Sequence, residues 1–383
     1  MPTKLTPALT TLLAATAGIG VANIYYAQPM IGLFAASFGV PGAAAAQVST
    51  AAQIGYTAGI VLLVPLGDRF DRRRIILILA ATLVVSLTAA ALAPNLLWLV
   101  LASIPIGVAA TLAQQAVPLA GSLATDATRS AVIGRVISGL LAGILLARTL
   151  SGLVGERFGW RAMFALGAVM AACLFAATWR ALPRTQPASR SSYSALLLSL
   201  ATLWRRHRAL RRAAIVQGCV FGGFTAFWST LALLLETPLY HLGAAAAGLF
   251  GVVGLAGILA APIAGRLADR YGTWTIALAG VLLILPGWAI LGVVPGLIGI
   301  ALGVVVLDTG IQVTLIANQS AVFALDRAAQ SRLNTVFVTG IFLGGSLGSI
   351  LGSLAWAAAG WPGVIATGAT FTLLALATHF AGH

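Results

Sequence analysis

The chain is a succession of long apolar runs separated by short polar breaks. A helix needs about 20 mostly apolar residues to cross the hydrocarbon core of a bilayer. Twelve runs of that kind fall at roughly 8–36, 45–66, 75–93, 95–120, 131–155, 160–181, 212–236, 244–266, 274–292, 296–320, 332–356 and 361–381. Backbone groups in lipid must find their partners within the segment, and unbroken Ala, Leu, Val and Ile suit helices rather than barrel strands. Only 8% of the residues are charged, against roughly 25% in a soluble globule. Too few charges exist to coat a water-facing surface. The expected fold class is therefore an all-α integral membrane protein with twelve transmembrane helices.

Where the charges lie matters more than their sum. A formal net charge of +14 could suggest a nucleic-acid partner. Yet of the 22 Lys and Arg, all but Arg148, Arg157 and Arg161 fall in the N-terminal segment or in alternate loops. This is the positive-inside distribution, whose partner is a lipid bilayer. It predicts a plasma (inner) membrane protein with both termini and the long central loop in the cytoplasm. Residues Met1 to Pro7 are too short, and the run beyond them too long, for a cleavable signal peptide, so the first span is expected to stay as an anchor. Cys173 and Cys219 lie inside apolar runs, where small buried hydrophobes are the expectation. They form no metal-spaced cluster, and no metal or cofactor is expected.

The sequence also repeats itself. The charged stretch Val64 to Arg74 carries Asp68, Arg69, Arg72 and Arg73; a related stretch, Gly265 to Gly272, carries Asp269 and Arg270. Asp68 and Asp269 are 201 positions apart, and the same offset pairs Gly139 with Gly340, Gly143 with Gly344, Gly159 with Gly360 and Trp160 with Trp361. One register along a whole half implies two pseudo-symmetric six-helix bundles, residues 1–181 and 212–383, as in transporters built from repeats. The linker 182–211 opens with Pro183, Arg184, Pro187 and Arg190. Tyr193, Leu196, Leu197, Leu200, Leu203 and Trp204 then recur at helical spacing before an arginine cluster. That pattern predicts an amphipathic helix on the inner membrane surface, a solvated basic tether being the other reading. Gly or Ala at every fourth position in Gly139-x₃-Gly143-x₃-Ala147 and Gly340-x₃-Gly344-x₃-Gly348 predicts close helix contacts.

These features together resemble the major facilitator superfamily. The stretch Gly265-Arg266-Leu-Ala-Asp269-Arg270-Tyr-Gly272 follows its loop motif closely; the first copy has Val64 and Asp71 where glycines are usual. Gly159-Trp160-Arg161-x-x-Phe164 is similar to a second superfamily signature. The resemblance implies alternating access between two halves and no enzymatic activity. It also implies a cytoplasmic gate at Asp68, Arg69, Arg72, Arg73, Asp269 and Arg270. Span five resembles the antiporter signature of the twelve-span drug:proton branch, but Arg148 stands where a proline is usual, and Ser103 stands in span four where an arginine is expected.

Two charges fall deep within spans. A charged group near the bilayer centre costs at least ~2.5–3.5 kcal/mol, so Asp308 and Arg148 need a partner, a cavity or a substrate. Asp308 can carry a proton; a guanidinium cannot release one, which makes Arg148 a fixed positive charge. The two could also form a structural ion pair. Glu156 and Glu236 lie at outer span ends, where hydration makes their charge cheap. By the resemblance, spans one, four, seven and ten line the cavity, which nominates Asn23, Tyr26, Gln114, Gln115, Trp228 and Gln312, with Tyr25, Gln28 and Phe224 nearby. Interhelical hydrogen bonding is the alternative for each amide.

The resulting expectation is a monomeric secondary transporter that exports small amphipathic or aromatic compounds in exchange for protons. The alternative is proton-coupled uptake of a small organic anion. A remote third reading is a non-transporting membrane sensor or an intramembrane enzyme. No nucleophile–base pair, histidine cluster or phosphate-cradling loop supports an enzyme.

Overall fold

A computed structural model of the chain describes residues 6–125, 128–184, 192–326 and 329–381. Span one runs Pro7–Ala22, unwinds over residues 23–27, and resumes as a 3-10 turn, Gln28–Met30, and a helix, Ile31–Phe38. Span two is Gln47–Leu63, with short helical pieces on either side, Gly42–Ala45 and Leu66–Arg69. Spans three to six are Arg72–Ala91, Leu96–Ala110 with Leu112–Leu123, Arg129–Phe158 and Trp160–Ala181. After a connecting helix, Tyr193–Arg206, span seven is Arg208–Trp228 with Leu231–Leu235, and span eight is Ala244–Val253 with Leu255–Tyr271. Spans nine and ten are Thr273–Val293 and Gly296–Phe323. Spans eleven and twelve share the tract Gln330–Ala381, which turns sharply at Gly360 (φ 61°, ψ −146°).

Among the described residues, nine helices are long and apolar enough to cross a bilayer alone. Spans one and eight fall short only because each is broken, and the final tract contains two spans. All twelve expected segments are present.

The packing obeys the 201-residue register. Span one packs on span five as seven packs on eleven; two on four as eight on ten; three on six as nine on twelve. Glycines set the closest approaches. A side chain at Gly143 would collide with the backbone of Gly18, and one at Gly344 with the backbone of Gly218. The small-residue faces are therefore the seams between the first and fifth span of each half. Gly159 and Gly360 both take positive φ, 83° and 61°, to turn the chain back. The tryptophan after each turn packs against span one or seven: Trp160 lies 5.4 Å from Phe34, and Trp361 lies 5.9 Å from Phe227. Between the halves, span two meets span eleven and span five meets span eight, contacts that the same symmetry exchanges.

The connecting helix starts where the Ser192 hydroxyl accepts from the Ala195 amide, and it lies on the bundle rather than free of it. Leu196 and Leu203 are buried, and the Tyr193 hydroxyl donates to the Leu62 carbonyl at 2.8 Å. Pro187 and Arg190 of the linker lie outside the described residues.

Candidate substrate site

Spans one, four and seven lose regular helix geometry part-way, at residues 23–27, 111 and 229–230, and span eight does so at Gly254. Irregular backbone at membrane depth is tolerated only where protein buries it or a cavity needs it. Here it is buried, and it gathers polar groups between the halves. Counting at ~1.5 Å per residue, Arg148 lies roughly 15 Å from the far end of span five and Asp308 roughly 18 Å from the far end of span ten. The two charges are at similar depth.

Arg148 is enclosed by groups from both halves. Its Nε donates to Gln28 Oε1 at 2.9 Å. Its Cζ lies 4.1 Å from the Trp228 ring centroid, 4.6 Å from Tyr25 and 5.5 Å from Phe224. Each desolvated cation–π contact is worth about 2 kcal/mol, so the cage offsets a large part of the cost of placing the guanidinium in the bilayer. Span eight separates this cage from Asp308. A side chain at Gly251 would press on Arg148, one at Gly254 would collide with the Asp308 carboxylate, and one at Gly257 with the Asp308 backbone. Across that strip the charges of Arg148 and Asp308 still act on each other.

From the cage an aromatic ribbon crosses the interface. Trp228 lies 5.9 Å from Phe224, Phe224 stacks on Phe221 at 5.2 Å, Phe221 meets Phe342 at 5.2 Å, and Phe342 meets Tyr56 at 4.6 Å. Gln114 Nε2 donates to the Tyr56 hydroxyl at 3.0 Å and closes the ribbon. Beside it, hydroxyls bridge the halves, Thr50 to Ser349 at 2.7 Å and Thr57 to Ser346 at 3.3 Å, while Ser229 joins Ser349 from within the second half at 3.1 Å.

The sequence profile of the Major Facilitator Superfamily matches residues 10–327. The chain belongs to the major facilitator superfamily. It is 36% identical over 380 residues to "Uncharacterized transporter YgaY" of Escherichia coli O157:H7, covering 99% of this chain and 96% of that one. It is 35% identical over 367 residues to "Probable transporter SCO4007" of Streptomyces coelicolor, covering 95% and 85%. Among solved structures, a mutant of the nucleoside transporter NupG superposes with a TM-score of 0.78 at 15% identity, covering 97% of this chain and 98% of that one. At that identity the likeness concerns the fold. Membership in the major facilitator superfamily makes this chain an integral membrane transporter and not an enzyme.

Within this superfamily member, the residues nominated from sequence divide into three groups. Arg148 and Trp228 meet in the interface cage, Asp308 faces it across the span-eight glycines, and Gln114 ends the aromatic ribbon. Asn23, Tyr26 and Gln312 do not join it. The Asn23 side-chain amide turns back to the Ile19 and Gly20 carbonyls, at 2.6 and 3.3 Å, where span one starts to unwind. Tyr26 lies against Gly167 of span six, inside the first half; its neighbour Tyr25 meets Arg148 instead. Gln312 is half-buried one turn beyond Asp308. Gln115 belongs elsewhere: Arg72 Nη1 donates to its Oε1 at 2.9 Å, while its Nε2 donates to the Leu63 carbonyl at 3.0 Å. Adjacent glutamines on a helix point about 100° apart, so one serves the ribbon and the other the charged loop.

That loop is a knot of contacts at the basic end of the bundle. Asp68 pairs with Arg72 at 2.7 Å, Asp71 caps span three through the Arg73 amide at 3.0 Å, and Arg73 donates to the Trp179 carbonyl. Arg69 lies over the ring of Phe70 at 5.4 Å. Val64, Pro65 and Asp68 share a small cleft with Leu196 and Leu200 of the connecting helix and Ser331, Arg332 and Thr335 of span eleven. Their counterparts Asp269 and Arg270 are exposed. At the far end, Glu156 of span five accepts from the Ala245 amide at the start of span eight at 2.7 Å, another link between the halves.

Proposed function

We propose that this transporter couples substrate movement to protons, with Asp308 as the proton carrier and Arg148 as the fixed charge. One observation carries the reading: two opposite charges, one in each half, lie at similar membrane depth on either side of a glycine strip in the interface, Arg148 buried and Asp308 half-buried. Alternating access changes that interface, so the compensation each charge gives the other changes during the cycle. A buried carboxylate that loses its compensation takes up a proton. The ribbon of Trp228, Phe224, Phe221, Phe342 and Tyr56 supports a small amphipathic or aromatic substrate. Arg69, Arg72, Arg73 and the arginines of residues 205–212 share one end of the bundle, which supports an inner-membrane orientation with that end and both termini cytoplasmic. Asp68 and Arg72 would then close the cytoplasmic gate.

Span five resembles a drug:proton antiporter and points to export. Arg148, buried where that signature has proline, favours the second reading, proton-coupled uptake of an organic anion. Flux measured with the purified protein in vesicles under an imposed pH gradient separates the two. A gradient acidic outside drives accumulation in symport and efflux in antiport. Flux that ignores the gradient overturns proton coupling.

A further inference from the structure

The cage around Arg148 has hydrogen-bond donors left over. Arg148 spends Nε on Gln28, but its Nη2 has no partner, and neither do Gln28 Nε2 and Trp228 Nε1. All three side chains are deeply buried, with Arg148 4%, Gln28 1% and Trp228 3% exposed. A buried donor without an acceptor costs about 1–3 kcal/mol, and more when charged. Three such donors, one on the guanidinium and two beside it, are an expensive cluster. Gln28 and Trp228 line the same small cleft, with Pro29, Leu231, Ala232 and Ala247. The orphan groups of Gln28 and Trp228 in that closed cleft are donors, and Arg148, bonded to Gln28 and stacked on Trp228, sets a positive charge beside it. The complementary ligand is an oxyanion.

We propose that this cleft binds the carboxylate, or an equivalent oxyanion, of an aromatic substrate, and that its binding and the protonation of Asp308 reinforce each other. The inference rests on the proton-coupled reading above and specifies its substrate and sign. Without substrate, Arg148 is the positive charge acting on Asp308 across Gly251 and Gly254. An anion seated on Arg148 neutralises that charge and leaves Asp308 as a half-buried carboxylate at membrane depth without compensation. Asp308 then takes a proton from water onto a carboxylate oxygen. By reciprocity, a protonated Asp308 strengthens anion binding by the same factor. Ligands that help each other bind cross together, whereas an exchanger needs them to compete. The cleft therefore selects symport.

Binding to the purified full-length chain in nanodiscs, read by tryptophan fluorescence and calorimetry, tests this with three matched sets of probes. These are aromatic acids (benzoate, phenylacetate, 3-phenylpropionate), their amides, and amines of the same size. The acids are expected to bind at least about tenfold tighter than the amides, the value of one charge-assisted hydrogen bond. Their binding is expected to take up protons in weakly buffered solution. Asp308→Asn, a neutral stand-in for the protonated carboxyl, is expected to bind acids more tightly than the parent at neutral pH and to lose proton uptake. Trp228→Phe keeps a ring against Arg148 but removes one donor, weakening acid binding by about tenfold while sparing the amides. Gln28→Met does the same by a separate route, and Arg148→Gln removes the preference for acids. Equal or tighter binding of amides or amines, failure of every acid to bind, or proton release overturns the proposal. Acid binding without proton uptake refutes the coupling; proton uptake driven by amines or amides keeps the coupling and refutes the oxyanion cleft.

Discussion

Arg148 and Asp308, from different halves of the chain, are kept apart by the glycines of span eight. Gly251 lies against the Arg148 side chain and Gly254 against the Asp308 carboxylate, at the point where span eight breaks. Any side chain on this strip would push one charge out of place. A small movement of span eight therefore changes how strongly the two charges compensate each other.

The strip should tolerate no added bulk. Gly257→Ala places a methyl group on the Asp308 backbone, and overpacking of this kind costs about 1–3 kcal/mol. Gly134→Ala, on span five with nothing within 4 Å, is expected to be neutral or to stabilise by up to about 1 kcal/mol. Thermal melting in detergent and substrate flux compare them: Gly257→Ala lowers both, and Gly134→Ala lowers neither.

Equivalent glycines of the two halves should fail alike. Gly143→Ala meets the Gly18 backbone and Gly344→Ala meets the Gly218 backbone, so each is expected to lose a similar stability of about 1–3 kcal/mol. Melting both variants checks this. A large loss in one and none in the other would show that the two seams are not mechanically equivalent.

The charged loop should behave as one unit. Arg72 holds Asp68 and Gln115 at once, so Asp68→Asn and Gln115→Leu remove two arms of the same contact. Each single change is expected to slow transport, and the double change should cost less than the sum. Residues sharing one network couple by about 0.5–3 kcal/mol. A double-mutant cycle on the transport rate measures it, and strict additivity would mean that the arms act separately.

Much of this was legible in the sequence, and the reasons are physical. Apolar length fixes the spans because the bilayer offers no other solution, and the 201-residue offset of Gly139/Gly340 and Trp160/Trp361 is realised as equivalent seams and turns. Arg148 announced itself by the cost of its charge. The details failed where helical periodicity failed. Span one unwinds at residues 23–27, so spacing from Asn23 pointed to Tyr26 when Tyr25 is the residue on Arg148. Tyr56 and Phe342 were missed because they lie on spans two and eleven, and an aromatic residue in an apolar run gives no sign of facing the other half. No residue type or spacing marks the orphan donor of Trp228; it exists only once the cage is assembled.

The most direct measurement is proton movement in vesicles containing the parent protein or Asp308→Asn, with an aromatic acid gradient as the sole driving force. The account predicts that the acid flowing down its gradient carries protons in the same direction through the parent, and that Asp308→Asn still exchanges labelled for unlabelled acid but moves no protons. Unchanged proton movement in Asp308→Asn, or protons moving against the acid in the parent, would contradict it.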